Sequence, residues 1–245
     1  MTLGASLNDS FSEKLASAVV RWSHHQELAG FAHDCALFCA DVLEGCTFAA
    51  LGQTGRRMRL SHLAATGTVD DAPWHRQLQW REGPSFHAVA TGATVSASAL
   101  DAGERWPRWS AAWTAVNGHG AVRAFPLRHE DTIIGVLELW TRRPEDAARL
   151  PATLSEHVAA HFAMVRRHEH LDRALTTRTV VGQAQGIVME RFDLTAEAAF
   201  AVLSRLSQHQ NIKLTHLARR LVAGGAVDGL TPAGDDGEAE ELPSA

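Results

Sequence analysis

Residues 180–222 decide the architecture of the C-terminal part of this chain, and they read VVGQAQGIVMERFDLTAEAAFAVLSRLSQHQNIKLTHLARRLV. Apolar residues recur there at three- and four-residue spacing, which predicts amphipathic helices. We expect a first helix over 178–192, a second that begins after the N-cap Thr195, and a third over about 213–222. Two consecutive glycines follow and end the third segment. The stretch therefore predicts a compact bundle of three helices.

Upstream of this bundle the pattern changes from helical to mixed. Residues 147–174 predict a long helix that pairs with a second copy of itself or packs against the preceding domain. Before it, strand-like runs alternate with short helices, one of which ends at Gly92, and the runs lie at 46–51, 58–66, 94–100, 121–129 and 132–141. The first two runs and the last two runs are each expected to form a hairpin, and the weakly alternating run 94–100 is expected at an edge of the sheet. Within 58–66, Leu60, His62 and Ala64 alternate and are expected to share one face. This order of elements predicts an α+β domain with one antiparallel sheet flanked by helices.

The chain therefore divides into five segments. We expect an N-terminal helical segment (1–29), an α+β domain (30–146), a connecting helix (147–174), a three-helix domain (175–224) and a disordered acidic tail (225–245).

Charged residues are distributed unevenly along the chain, although its formal net charge is only −5. Residues 173–221 carry a net charge of +4, residues 222–245 carry −6 and residues 1–172 carry −3. A basic module followed by an acidic tail is typical of proteins with a polyanionic partner.

The composition predicts a cytoplasmic protein with no membrane partner. No run approaches the roughly 20 apolar residues that span a bilayer, and the opening MTLGASLNDS has no secretory signal. The three cysteines, Cys35, Cys39 and Cys46, are odd in number and lack CxxC spacing, so we expect reduced thiols. Cys35 and Cys39 are expected in the core.

Common motifs of catalysis and cofactor binding are missing. The sequence has no GxxxxGK[ST], no GxGxxG after a strand, no HExxH and no GxSxG. His157 and His161 lie four residues apart, but no third ligand follows at suitable spacing. We therefore predict no enzymatic activity, no catalytic residues, no metal site and no cofactor.

The stretch 180–222 resembles the ANTAR domain, a three-helix RNA-binding output module of bacterial antiterminators. The resemblance rests on Ala184, Gly186 and Met189 (A-x-G-x-x-M), Ala199, Phe200 and Leu203 (A-F-x-x-L), Ser207 and Gln208 (S-Q), Asn211, Lys213 and Leu214 (N-x-K-L), and Ala218. The sequence departs from the pattern at Gln185, Val188, Thr215 and His216. The lost basic residues at 185 and 215 reduce the expected phosphate contacts but leave the expected fold unchanged.

RNA-binding candidates follow from this resemblance and from side-chain chemistry. Amide, hydroxyl and guanidinium groups read unpaired bases, while Arg and Lys bind phosphates. The candidates are Arg178, Gln183, Gln185, Arg191, Arg205, Ser207, Gln208, Asn211 and Lys213. Taken alone, Ser207 or Asn211 is better explained as a helix cap. The grouping of the candidates from Arg205 to Lys213 beside the family pattern reverses that preference in favour of RNA binding. Gly186 in mid-helix costs about 1 kcal/mol relative to Ala, which indicates close helix packing or close approach of a ligand to the backbone.

Residues 30–143 are similar to the GAF domains that are joined to ANTAR modules in actinobacterial regulators. The matching runs are EGPSFHA (82–88), RWP (105–107), AVRAFPL (121–127) and GVLELWT (135–141). The resemblance implies a sensor pocket, for which the candidates are His62, Ser85, His87 and Trp106. Relatives often have Cys, Asn and Tyr where Ser85, Glu138 and Trp140 stand, and nothing in the sequence selects a ligand.

The two resemblances predict signal-controlled RNA binding. An unknown small-molecule or protein input at the GAF-like domain would shift the connecting helix in a homodimer. The paired ANTAR modules would then bind RNA stem-loops and change transcription antitermination or translation. Two alternatives stay open: a DNA-binding transcription factor with a helix-turn-helix, although HQNIK lacks the usual glycine turn, and a ligand-binding scaffold whose C-terminal bundle only dimerises.

Overall fold

A computed structural model describes residues 3–55, 57, 59–67, 72–118, 120–148, 152–225 and 230. The chain divides into two compact units, Met1–Glu169 and His170–Ala245. The predicted disordered tail lies almost entirely outside the described residues.

Helices and strands alternate along the first unit, and every element described in the second unit is a helix. In chain order they are α1 (Leu3–Trp22), α2 (Leu28–Val42), β1 (Cys46–Thr54), β2 (Leu60–Gly67), α3 (Ala72–Trp80), α4 (Pro84–Thr91), β3 (Val95–Ser98), α5 (Ala99–Arg105), α6 (Pro107–Asn117), β4 (Ala121–His129), β5 (Thr132–Thr141), α7 (Pro144–Ala148), α8 (Ala152–Phe192), α9 (Ala196–His209) and α10 (Leu214–Val222). The predicted α+β class is confirmed.

The five strands form one antiparallel sheet in the order β2-β1-β5-β4-β3. Both predicted hairpins form, β1 with β2 and β4 with β5, and the central pair joins β1 to β5 with Leu51 opposite Leu137. Strand β3 lies at one edge, as the weak alternation of residues 94–100 predicts. The pairing of β1 with β5 brings together residues that are far apart in the sequence.

Each face of the sheet is covered by its own set of helices. One face packs against α1, α2 and the first part of α8, through side chains that include Trp22, Phe31 and Phe162. Cys35 and Cys39 are buried in this cluster, as predicted. The other face packs against α3, α4, α5 and α6, and its core is dominated by tryptophan: Trp74, Trp106, Trp109, Trp113 and Trp140.

The prediction that Ala64 lies on the same face of β2 as Leu60 is wrong. Leu60 packs among the tryptophans, whereas Ala64 packs in the opposite cluster. The cause is a bulge: Leu51 pairs with Ala64, but Gly52 pairs with His62, so that one residue of β2 has no opposite partner. An extra residue in a strand moves every later side chain to the other face.

Helix α8 is continuous from Ala152 to Phe192. The sequence predicts a connecting helix over 147–174 and a separate helix over 178–192, but the structure has no break between them. Residues 175–177 contain neither glycine nor proline, so the backbone there has no reason to leave the helix. None of the described helices combines the length and the apolar composition that a membrane crossing needs.

Candidate functional site

The second unit is a small bundle with an apolar centre. Its buried side chains include Ala184 of α8, Ala199 and Leu203 of α9, and Leu217 and Leu221 of α10. Helix α9 begins where predicted, because the hydroxyl of Thr195 accepts a hydrogen bond from the backbone N–H of Ala198. This core determines which side chains of the three helices face solvent.

Seven of the nine predicted RNA-binding side chains are exposed: Arg178, Gln183, Arg191, Arg205, Gln208, Asn211 and Lys213. The other two are half-buried and bind backbone. The Gln185 amide donates to the carbonyl of Ala196 at 2.6 Å, and the Ser207 hydroxyl donates to the carbonyl of Ile212, also at 2.6 Å. Gln185 therefore joins α8 to α9, and Ser207 closes the turn that follows α9.

The turn between α9 and α10 gathers four of the candidates. The backbone N–H of Asn211 donates to the carbonyl of Gln208, and that of Ile212 donates to the carbonyl of Ser207. Asn211 has a φ of 52° in the left-handed region, and Lys213 is the N-cap residue of α10. Within the described residues, no hydrogen bond or ion pair joins Arg178, Gln183 or Arg191 to this turn.

Phe200 is a surface residue for which the sequence predicted no RNA-binding role. Its side chain is 45% exposed, although the neighbouring Ala199 is fully buried. Helical periodicity places Phe200 on the same exposed half of α9 as Arg205 and Gln208. The amphipathic pattern of α9 contained this signal, because Ala199 and Leu203 define a buried side that excludes position 200.

Gly186 has no packing partner within the described residues. A β-carbon built at Gly186 would meet nothing within 4 Å, and the same holds for Gly182 one turn earlier. Of the two explanations offered by the sequence, close packing against another helix is therefore not supported within this unit. The bare backbone at this position lies exposed on α8.

The first unit contains a fully buried carboxylate, Glu138 of β5. It accepts hydrogen bonds from the Ser85 hydroxyl at 2.5 Å, from the Trp140 indole at 2.5 Å and from the Gln77 amide at 2.8 and 2.9 Å. The carbonyl oxygen of Gln77 in turn accepts from the backbone N–H of Ser85 at 2.9 Å. Burial raises the pKa of Glu138, while these hydrogen bonds oppose the rise. The network joins α3, α4 and β5.

The four predicted pocket residues do not gather at one site. Ser85 is buried in the Glu138 network. His87 is exposed on α4, and its ring lies 5.8 Å from the ring of the buried Trp106. His62 lines a different cavity, described next. Among the described residues, no three His, Cys, Asp or Glu side chains come together as a metal site requires.

An open cavity of about 830 Å³ lies between β2, α3 and the start of α4. Its lining residues are Arg57, Arg59, Leu60, Ser61, His62, His75, Leu78, Gln79, Arg81 and Phe86. Among them, only His62 was predicted from the sequence as a pocket residue. The basic run RRMR (56–59) could have indicated the arginines on one side of the cavity. No local sequence pattern connects that run with Arg81.

Each unit is similar to known proteins. Residues 169–222 match the ANTAR domain. No curated protein sequence matches the chain. The GAF domain of A. aeolicus nlh2 in an inactive state has a TM-score of 0.50 at 10% identity, covering 64% of this chain and 98% of that one.

Two further solved structures are similar to the first unit. A putative GAF sensor protein from Burkholderia vietnamiensis has a TM-score of 0.49 at 14% identity, covering 67% of this chain and 98% of that one. Free methionine-R-sulfoxide reductase from Neisseria meningitidis, in complex with its substrate, has a TM-score of 0.48 at 16% identity, covering 64% and 90%. The first unit thus has a GAF-like fold, and residues 169–222 match the ANTAR domain.

Proposed function

We propose that this chain is a cytoplasmic regulator without enzymatic activity, in which the GAF-like unit receives a signal and the ANTAR domain binds RNA stem-loops. The observation that carries the proposal is the exposed half of α9. An aromatic ring at Phe200, a guanidinium group at Arg205 and an amide at Gln208 face solvent there. The turn after α9 adds the exposed side chains of Asn211 and Lys213.

These groups suit single-stranded loops better than duplex nucleic acid. RNA loops expose unstacked bases, which stack on aromatic side chains and accept hydrogen bonds from amide and guanidinium groups. Phosphates are bound by cations such as Arg205 and Lys213. A ring that is almost half exposed, like that of Phe200, supports stacking because it is already free of the bundle core.

The chain acts as a homodimer in this proposal. Leu171 and Leu175 lie four residues apart on α8 and are 57% and 65% exposed. Apolar side chains at this spacing form a stripe on a helix that a second copy can cover. Replacing both by Asp should shift the sedimentation coefficient of the chain from dimer to monomer, and an unchanged coefficient would place the dimer contact elsewhere.

Regulation requires the signal to bind two states of the protein with different affinity. A ligand of the GAF-like unit that prefers the RNA-competent state raises RNA affinity, and one that prefers the other state lowers it. Either sign gives control of transcription antitermination or of translation. The identity of the target RNA decides between these two outputs.

The deciding experiment measures binding of the full chain to a labelled stem-loop RNA and to duplex DNA of equal charge, over a range of salt concentrations. We expect preference for the stem-loop, and a loss of about tenfold in affinity for Arg205→Ala. Arg219→Ala removes the same charge from α10 and is the control. Equal binding of both nucleic acids at low salt alone indicates generic electrostatics. Preference for duplex DNA favours a transcription factor, and dimerisation without nucleic-acid binding favours a scaffold.

A further inference from the structure

The open cavity of the first unit is strongly cationic. Arg57 and Arg59 lie in the turn between β1 and β2, and Arg81 lies between α3 and α4, so the cavity has guanidinium groups from two separate parts of the chain. Within the part of the chain that the structure describes, none of the three forms an ion pair, and no carboxylate lines the cavity. The imidazole rings of His62 and His75 lie beside them, 4.8 Å apart.

Two of these arginines have unusual backbone conformations. Arg57 has a φ of 58° and Arg81 a φ of 56°, in the left-handed region that few residues other than glycine adopt. Such conformations are disfavoured by about 1 to 3 kcal/mol each and cluster at binding sites, where the surrounding structure holds them. Both strained residues line the same cavity, Arg57 from the turn between β1 and β2 and Arg81 from the segment that follows α3.

The cavity also has an apolar wall. Leu60, Leu78 and Phe86 line it, and the guanidinium group of Arg81 lies 5.2 Å from the centre of the Phe86 ring. A site with a few charged groups and an apolar wall binds molecules that carry both an anionic group and an apolar body. Its volume of about 830 Å³, open to solvent, lies within the range of small-molecule sites.

The interior beneath this face of the sheet is already filled. Trp74, Trp109, Trp113 and Trp140 are fully buried there, and Glu138 is satisfied by its four hydrogen bonds. A ligand on this side of the sheet therefore finds space at the rim beside β2 and not at the centre. The rim is also where the three arginines lie.

We propose that the cavity between β2, α3 and α4 is the signal-binding site and that it takes a small organic dianion with an apolar or aromatic body. This inference rests on the proposed sensor function of the GAF-like unit. Guanidinium groups bind phosphate and carboxylate through paired hydrogen bonds, and Arg57, Arg59 and Arg81 supply three such groups. Leu78 and Phe86 contact the body of the ligand, which gives selectivity over inorganic anions.

The test is calorimetric titration of the full chain with four probes of defined chemistry. Phenyl phosphate and phthalate each carry an aromatic ring and a dianion, inorganic phosphate lacks the ring, and benzyl alcohol lacks the charge. We expect a Kd of about 1 mM or tighter for at least one ringed dianion, and binding at least about tenfold weaker for inorganic phosphate and benzyl alcohol. The probe that binds better distinguishes a phosphate from a carboxylate ligand.

Variants link the binding to the cavity. Arg59→Ala and Arg81→Ala should each weaken binding of the ringed dianion about tenfold, whereas Arg142→Ala, exposed on the segment after β5, should leave it within about twofold. Arg59→Lys serves as a second variant that keeps the charge and loses the paired geometry. The inference is overturned if neither ringed dianion binds. It is also overturned if Arg142→Ala weakens dianion binding as much as Arg59→Ala and Arg81→Ala do.

The same samples separate this inference from the proposed function. Stem-loop RNA binding is measured with and without the ringed dianion. A dianion that binds in the cavity without changing RNA affinity leaves the site intact and removes the proposed coupling between the units. Normal RNA binding together with no dianion binding removes the site and leaves the RNA-binding proposal intact.

Discussion

The Ser85 hydroxyl donates a 2.5 Å hydrogen bond to the fully buried carboxylate of Glu138. The bond joins the first turn of α4 to the central strand β5 across 53 residues of sequence. Together with the hydrogen bonds from Gln77 and Trp140, this bond stabilises an ionisable group that is buried among tryptophans. Removing one donor leaves the carboxylate with less compensation for its lost hydration.

Ser85→Ala should lower the free energy of unfolding by about 2 kcal/mol at neutral pH, because a hydrogen bond to a buried charged group is lost. Urea denaturation followed by circular dichroism measures the change. Ser96→Ala, on the exposed side of β3, is the control and should change stability by less than about 0.5 kcal/mol. Equal effects of the two substitutions would show that the bond to Glu138 contributes no stability.

Glu138→Gln should change the pH dependence of stability. Burial raises the folded-state pKa of Glu138 above that of the unfolded chain, so its contribution to stability is fully present below the unfolded pKa, about 4.3, and is lost as pH rises through the folded pKa. The Gln variant does not titrate there. Its free energy of unfolding should therefore fall less than that of the wild type between about pH 4 and pH 7.

The control for this titration is Glu104→Gln, an exposed residue of α5. Urea denaturation of the three proteins at each pH supplies the comparison. The Glu104 variant should follow the wild type, and a Glu138 variant with the same pH profile would mean that the buried carboxyl does not contribute to acid-dependent stability.

Asn211 allows its backbone role and its RNA-binding role to be separated. Because its φ is 52°, Asn211→Ala should destabilise the second unit by about 1 kcal/mol, whereas Asn211→Gly keeps the turn. If the amide contacts RNA, both variants should weaken stem-loop binding, although only the Ala variant loses stability. An Asn211→Gly protein with wild-type RNA affinity would assign the residue to the turn alone.

Gly186→Ala should stabilise α8 by about 1 kcal/mol, since Ala has the higher helix propensity and the added methyl group meets nothing within 4 Å. We expect the same variant to weaken stem-loop binding, because the methyl group blocks close approach of RNA to the backbone. Gly182→Ala is the matched control for helix stability. Thermal unfolding and RNA titration of both variants test this, and unchanged RNA affinity of the Gly186 variant would remove α8 from the interface at that position.

Phe200→Ala should weaken stem-loop binding by about 1 to 3 kcal/mol, the range for loss of one stacked base, and Phe200→Trp should retain it. The fold should tolerate both, because the side chain is 45% exposed. Val222 is a partly exposed apolar residue of α10, and Val222→Ala is the control for the loss of apolar surface. If the Val222 and Phe200 variants lose equal RNA affinity, stacking is not the cause.

Local patterns accounted for most of the secondary structure. The helices α9 and α10, the N-cap at Thr195, the two hairpins and the short helix that ends at Gly92 were all predicted from residue spacing and turn chemistry. These features depend on contacts within a few residues, which the sequence displays directly. The wrong face for Ala64 came from a bulge, and a bulge depends on pairing with the neighbouring strand.

The amino-acid sequence by itself determined the α+β class, the ANTAR-like bundle and the chemical types available for the proposed RNA binding, because periodicity and motif spacing are local properties. Only the tertiary structure decided that Gln77, Ser85 and Glu138 form one network, and that Arg57 and Arg81 flank one cavity. These groupings follow from the pairing of β1 with β5 and from the packing of α3 and α4 on the sheet. No short stretch of sequence contains that information, since the residues involved meet only after the chain has folded.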